Sequence, residues 1–473
     1  MITHVEALLS SLEKKDKIIS YLKQVYKVEI GEEIEIPEQY INNVTIKEIS
    51  DITTNIKFKK EFKSFNEKVD SYNFPDPTDK AAKSKIQKLR KMGDTEYLIK
   101  YVDLSGFKDK MINKEYFKKF VDGIKTLGSV EVLDLKNNNL NDSYSNEIAD
   151  LFLVESLKRI NLRNNELTKV TGKKIYTNLK NTSHLEFLDL CYNPLCLDEI
   201  VCGNICNSIK NHLNLYHLGI SDTSRDAGIR LLNSKKSMRS LGLEDNKYKR
   251  KTLDYLFKIL IDKRCLLAEL NLKFGKLDYF NACTLEKALR VNKHLVYLNL
   301  YCCDLSDFSG EAIANSLEYN TSLVDIDLGF NHIGKLFCSA FKKKIGFNTI
   351  LTSINIAKNY EINSECFNDI IEGLITNQSI LNIGDLTELK IEVKQKDQVE
   401  KILGLNEKFR TNENSIVKEK SSINIYDNND NINNELVFDD FLKGGTIGDI
   451  KFSFDCMNSG FKSDNTFIFP LYD

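Results

Sequence analysis

Apolar residues recur along the middle of the chain at a fixed spacing. The segments VEVLDLKNNNL (130–140), LKRINLRNNEL (157–167), LEFLDLCYNPL (185–195), LAELNLKFGKL (267–277), LVYLNLYCCDL (295–305) and LVDIDLGFNHI (323–333) share one pattern. Their first, fourth, sixth and eleventh positions are apolar, and the ninth is mostly Asn. Weaker copies are IKYVDLSGF (99–107), LYHLGISDT (215–223), MRSLGLEDN (238–246) and LTSINIAKN (351–359). Alternation of apolar and polar residues in each copy predicts a short strand, half buried. Between copies the period changes: in EAIANSLEYNTS (311–322), Ile313, Ala314 and Leu317 fall on one helical face. EKALRVNKH (286–294) and NICNSIKNH (204–212) occupy the same place in their own units.

The ten copies start at Ile99, Val130, Leu157, Leu185, Leu215, Met238, Leu267, Leu295, Leu323 and Leu351. They cover 252 residues in nine steps, a mean period of 28. The pattern is L-x-x-L-x-L-x-x-N/C-x-L, so the chain resembles leucine-rich repeat proteins, and specifically their ribonuclease-inhibitor-like subfamily. The resemblance covers about residues 99–385. It implies an α/β fold: a curved solenoid, or horseshoe, with parallel strands on the concave face and helices outside. One such unit cannot bury its own apolar positions, so neighbours must stack. The ninth-position Asn is expected to turn inward and bond the adjacent turn. Asn138, Asn165, Asn193, Asn246, Asn331 and Asn359 hold that place, whereas Thr223, Gly275 and Cys303 depart from it. Cys can substitute there. Gly275 has no side chain to bond with, so its repeat is expected to be weaker. The 23-residue step from Leu215 to Met238 leaves the least room for a helix and predicts an irregularity there.

Three domains follow. Residues 1–97 lack the repeat and read as a mostly helical cap over the first repeat. Residues 98–390 form the solenoid of ten to eleven repeats. Residues 391–473 hold a closing helix around VEKILGLNEKFRTN (399–412), an Asn/Asp-rich loop at NIYDNNDNINNE (424–435) and strand-like runs such as DIKFSFDCM.

Charge changes this picture little. The 473 residues carry 66 Lys and Arg against 68 Asp and Glu, a net of -2. One local excess stands out: residues 57–91 hold eleven basic and five acidic residues, a net of +6. Its densest part is a basic helix with Lys80, Lys83, Lys85, Lys88, Arg90 and Lys91. Such a helix can dock on nucleic acid or on an acidic protein, or can simply be solvated. No run of about 20 apolar residues is present, so no membrane partner is expected. The 11 cysteines are scattered and read as free thiols of a reducing compartment. The expected location is the cytoplasm, with the nucleus as the alternative. Four of them, Cys191, Cys196, Cys202 and Cys206, lack the paired spacing of a zinc site, so no metal is expected.

The outward strand positions are the candidate binding surface: Tyr101, Asp134, Arg159, Arg163, Phe187, Asp189, Glu269, Tyr297, Tyr301, Asp325 and Asp327. Aromatic rings among polar groups are typical of protein-binding faces. Phe187, Tyr297 and Tyr301 are expected to be exposed anchors. Catalysis finds no support: the Walker, H-E-x-x-H and G-x-S-x-G motifs are absent, and GIKTLGSV (123–130) lacks the lysine of a phosphate loop. The expectation is a non-enzymatic intracellular interaction module or assembly subunit, without cofactor or small-molecule substrate. One alternative is a GTPase-activating regulator similar to the Ran GTPase-activating proteins, with Arg163 as the working arginine. The other is a subunit anchored to a ribonucleoprotein or cytoskeletal assembly through the basic helix.

Overall fold

The structure, a computed structural model, describes residues 65–71, 80–91, 99–107, 112–221 and 226–410. Thr223, the first 64 residues, the Asn/Asp-rich stretch and the strand-like runs near the end lie outside the described residues. Those that are described divide into two compact units, one up to Asp134 and one from Leu135 onward.

The first unit holds helices Phe65–Ser71, Lys80–Lys91 and Lys114–Leu127 and strands β1 (Tyr101–Asp103) and β2 (Val132–Asp134). β1 and β2 pair in parallel, Val102 opposite Leu133. An aromatic cluster fills this core: the Phe65 ring lies 6.0 Å from Phe107, 6.2 Å from Phe117 and 6.0 Å from Phe120. Helix Lys114–Leu127 starts where the Asn113 side chain accepts the Glu115 and Tyr116 N–H groups. It ends at Gly128, whose φ of 51° suits a residue without Cβ.

The second unit carries β3 (Arg159–Asn161), β4 (Phe187–Asp189), β5 (His217–Gly219), β6 (Ser240–Gly242), β7 (Glu269–Asn271), β8 (Tyr297–Asn299), β9 (Asp325–Asp327) and β10 (Ser353–Asn355). They pair in chain order, all parallel, with their central residues in register from Ile160 and Leu188 to Ile326 and Ile354. These central side chains are at most 1% exposed. Between consecutive strands lies a helix, and each helix buries its apolar face against its neighbours, as at Leu285 and Leu289 or Ile313 and Leu317. This is a leucine-rich repeat solenoid. An eleventh turn bridges Ser353 to Asn382, and helix Val393–Arg410 follows it, burying Val399, Ile402 and Leu405.

The inward asparagines behave as expected. Asn165 Oδ1 accepts the Asn138 N–H at 3.1 Å and the Leu140 N–H at 3.0 Å. Its Nδ2 donates to the Leu135 and Leu162 carbonyls. Asn331 and Asn359 repeat the arrangement one and two turns from Cys303, whose own thiol donates to the Leu272 carbonyl at 3.1 Å. At Gly275 only the backbone N–H reaches Leu272. The short repeat does have a short helix, Ala227–Ser234, of eight residues.

A second ladder, not expected from the pattern, closes the helix-to-strand turns. Asn292, Asn320, Asn348 and Asn377 donate to the carbonyls of Leu260, Leu289, Leu317 and Ile345 and accept N–H groups of their own turns. His212 does the same work in its repeat, its Nε2 lying 3.1 Å from the Leu179 carbonyl.

Candidate protein-interaction face

The residue just before each ladder position is left-handed: Asn137, Asn164, Tyr192, Asp245, Phe274, Cys302, Phe330 and Lys358 all have φ between 52° and 62°. This turn sends the chain from strand to helix. Asn and Asp adopt it at little cost, whereas bulky side chains are strained there. Beneath it, the third strand residue holds the turn through its side chain. Asp103, Asn161, Asp189, Asn271, Asn299, Asp327 and Asn355 each accept the N–H two residues on. Asp189 and Asp327 therefore have a structural role, whatever else they touch.

In the second unit the strand face differs between its two halves. From β3 to β6 it is filled by its own side chains. Arg163 is 9% exposed. Its guanidinium sits 4.6 Å from the Tyr192 ring centre and 3.6 Å from Asp189 Oδ2, and it is paired with Glu244 three repeats on. Room for this comes from Gly219 and Gly242, the third residues of β5 and β6, where other strands carry Asp or Asn. A Cβ on Gly219 would collide with the Asp189 carboxylate, and one on Gly242 would lie 3.3 Å from Gly219 Cα. Burial opposes the charge on Arg163, but Asp189, Cys191 and Glu244 together hold its pKa above the usual value. The Glu244 carboxyl is pushed up by the same burial.

Phe187 corrects one expectation. It is 1% exposed and stacked on His217 at 4.0 Å, so it is core and not an anchor. The imidazole Nδ1 of His217 lies 2.8 Å from Ser240 Oγ, and burial lowers its pKa to about 4. Arg159 is buried as well, 3.7 Å from Glu186 and above the Tyr216 ring. Burial lifts the Tyr216 hydroxyl to about 12.

From β7 to β10 the predicted residues Glu269, Tyr297, Tyr301, Asp325 and Asp327 are only partly covered. Register sets Glu269, Tyr297 and Asp325 side by side on three strands. Asn299 Nδ2 donates to the Tyr297 hydroxyl at 3.0 Å. Burial raises the Glu269 and Asp327 carboxyls and, with the nearby carboxylates, the Tyr297 phenol. Lys273 reaches over the Phe274 and Tyr301 rings, 5.0 and 4.9 Å from their centres.

The structure adds residues that the pattern did not single out. One ring per repeat runs along the strand-to-helix edge: Phe274, Tyr301, Phe330 and Tyr360. Successive centroids are 5.9, 5.9 and 6.4 Å apart. Phe274, Phe330 and Tyr360 are 42%, 44% and 48% exposed. Further along the same turns, Phe280 and Phe308 are 58% and 60% exposed. Tyr279 stands 6.1 Å from Phe308, and Arg250 lies over Phe280. The available signal was an aromatic residue at a left-handed position, where Asn137 and Asn164 show the cheaper choice.

The remaining predicted residues are placed without being joined to either half. Tyr101 and Asp134 are half-buried on β1 and β2 of the first unit. Lys80, Lys83 and Lys85 are exposed on helix Lys80–Lys91; the side chains of Lys88, Arg90 and Lys91 lie outside the described residues. Cys191, Cys196, Cys202 and Cys206 are all buried. Among the described residues no group of three or more His, Cys, Asp or Glu is placed to hold a metal ion. No described helix is long and apolar enough to cross a membrane.

No protein-family model and no curated protein matches the chain. Solved structures do. An internalin from Listeria monocytogenes is 15% identical at a TM-score of 0.37, over 70% of this chain and 95% of its own. Rad7, in its complex with Elc1 from yeast, is 16% identical at a TM-score of 0.41, over 67% and 85%. The tropomodulin C-terminal domain of Caenorhabditis elegans is 22% identical at a TM-score of 0.28, over 33% and 92%.

Proposed function

We propose that this chain is a non-enzymatic protein-interaction module of the ribonuclease-inhibitor-like type. Its partner binds on the open part of the strand face, β7 to β10, and along the aromatic edge beside it. The observation that carries this reading is the run Phe274, Tyr301, Phe330 and Tyr360. Two of its rings sit at strained left-handed positions and are more than two-fifths exposed. Stability alone would favour Asn there, and strain kept at a surface is a mark of function. Rigid exposed rings bring large contact area at small entropic cost. The mean period of 28 and the helix in every repeat support the subfamily. Ten free cysteines among the described residues support a reducing compartment, and we place the protein in the cytoplasm.

The activator reading needs a guanidinium that a GTPase can reach. Arg163 is instead enclosed by Tyr192, Asp189 and Glu244, which favours a structural role. The test is affinity purification with the native chain and with the Tyr301→Ala/Phe330→Ala double variant. A specific partner lost from the double variant but kept by Leu213→Ala, at unchanged melting temperature, is the expected result. A partner kept by both variants would place binding elsewhere.

A further inference from the structure

The two halves of the strand face hold the same chemical combination, filled in one and open in the other. In the filled half a tyrosine ring, Tyr192, and two carboxylates, Asp189 and Glu244, surround the Arg163 guanidinium. In the open half, register aligns Glu269, Tyr297 and Asp325 across β7, β8 and β9. Adjacent strands lie roughly 4.8 Å apart, so the backbone sets Glu269 and Asp325 on either side of Tyr297 with their α-carbons about 10 Å from one another.

The charge of this face is unbalanced. Among the described residues, its outward positions on and just after β7 to β10 carry Glu269, Asp325 and Asp327 against Lys273, while Lys358, beyond β10 and near Tyr301, is paired with Glu388. Lys273 is turned toward the edge, where it covers Phe274 and Tyr301. Rings in this region therefore already accept a cation.

We propose that the open half binds a partner segment carrying an arginine, whose guanidinium lies on the Tyr297 ring between Glu269 and Asp325. Neighbouring apolar side chains of the segment run along Tyr301, Phe330 and Tyr360. This deepens the function proposed above and rests on it. Charge complementarity selects a basic segment over an acidic one. A planar, weakly hydrated guanidinium suits a ring between two acceptors better than an ammonium does. The 5.9 to 6.4 Å spacing of the rings is close to the two-residue repeat of an extended chain, about 6.6 Å. Alternate side chains of an extended segment would thus meet successive repeats.

The test uses the full chain and 12-residue fluorescent peptides in which Leu and Tyr alternate with Ser, differing only in a central Arg, citrulline or Glu. Affinity is read by anisotropy at low and high salt. The Arg peptide is expected to bind at least tenfold more tightly than the citrulline peptide and to weaken with salt. Glu269→Gln/Asp325→Asn should erase that difference while the melting temperature holds. Three results overturn the proposal. The Arg and citrulline peptides bind alike, the Arg peptide does not bind, or the double variant keeps the preference. If peptides bind alike yet lose affinity with Tyr301→Ala/Phe330→Ala, the aromatic face stands and only the cation is wrong. If that variant also has no effect on the native partner, the functional reading fails with it.

Discussion

Two stretches of one repeating sheet meet the solvent in opposite ways. Between β3 and β6 the outward positions are occupied by Arg159, Phe187, His217 and the Arg163–Glu244 pair, all buried. Between β7 and β10 the same positions carry Glu269, Tyr297, Tyr301 and Asp325, partly exposed. The backbone pattern is shared, so the difference comes from side chains. Two glycines remove bulk at β5 and β6, and a long arginine reaches through the space. A repeat scaffold can thus reserve one half for stability and leave the other for binding.

The largest expected effect breaks the filled half. Arg163→Ala strands two carboxylates in a covered site, and removing one partner of a buried charge group costs about 3–5 kcal/mol. Lys273→Ala in the open half should cost under about 0.5 kcal/mol, the usual range for surface changes. Chemical denaturation of both variants compares the halves directly; equal losses would break the contrast.

Next comes the open half itself. Phe330→Asn should cost roughly 1–3 kcal/mol in partner binding. Folding stability should stay level or rise, because Asn suits a left-handed residue better than Phe does. Isothermal titration paired with denaturation measures both. A stability loss without a binding loss would make Phe330 a structural residue.

A smaller effect separates the halves by pH. His217 is buried neutral, with its pKa lowered to about 4. Below the usual imidazole pKa of about 6.5 the unfolded chain takes up a proton that the folded one refuses. Stability from His217 is therefore full above that value and lost as pH falls toward 4. Glu244, Glu269 and Asp327 have raised carboxyl pKa values and act in the opposite sense above the usual carboxylate range. Comparison with His217→Gln isolates the histidine: wild type should lose stability relative to the variant between pH 6.5 and 4. Parallel pH curves would mean that the imidazole is not held neutral.

Smallest is the effect of the basic helix. Lys83→Glu with Lys85→Glu should change stability by less than about 0.5 kcal/mol, since both side chains are exposed. If the partner engages that helix as well, the salt dependence of binding will fall. An unchanged salt slope would confine recognition to the strand face.

Much of the fold was legible because it is periodic. The apolar positions of each repeat bury themselves whatever lies around them, and Asn165 or Asn331 bonds only its adjacent turns. The second ladder had the same legibility: Asn292, Asn320, Asn348 and Asn377 recur at intervals of 28, 28 and 29. It sits at helix ends, outside the strand motif that defined the register. The burial of Phe187 was not legible. It depends on His217 one strand away and on a cluster in which Arg163 meets Glu244, 81 positions later in the chain. The turn-holding role of Asp189 and Asp327 is local, since each accepts the N–H two residues on, and the spacing of outward positions does not reveal it. Phe274, Phe330 and Tyr360 escaped notice because they follow the strand and do not sit among its outward residues.

Hydroxyl-radical footprinting of the purified partner complex, set against the free chain, tests the central claim most directly. The account predicts that Tyr297, Tyr301, Phe330 and Tyr360 react in the free chain and are protected in the complex. Phe187 and His217, 1% and 7% exposed, should react little in either state. Strong labelling of that second group in the free chain, or protection confined to residues before β7, would contradict it.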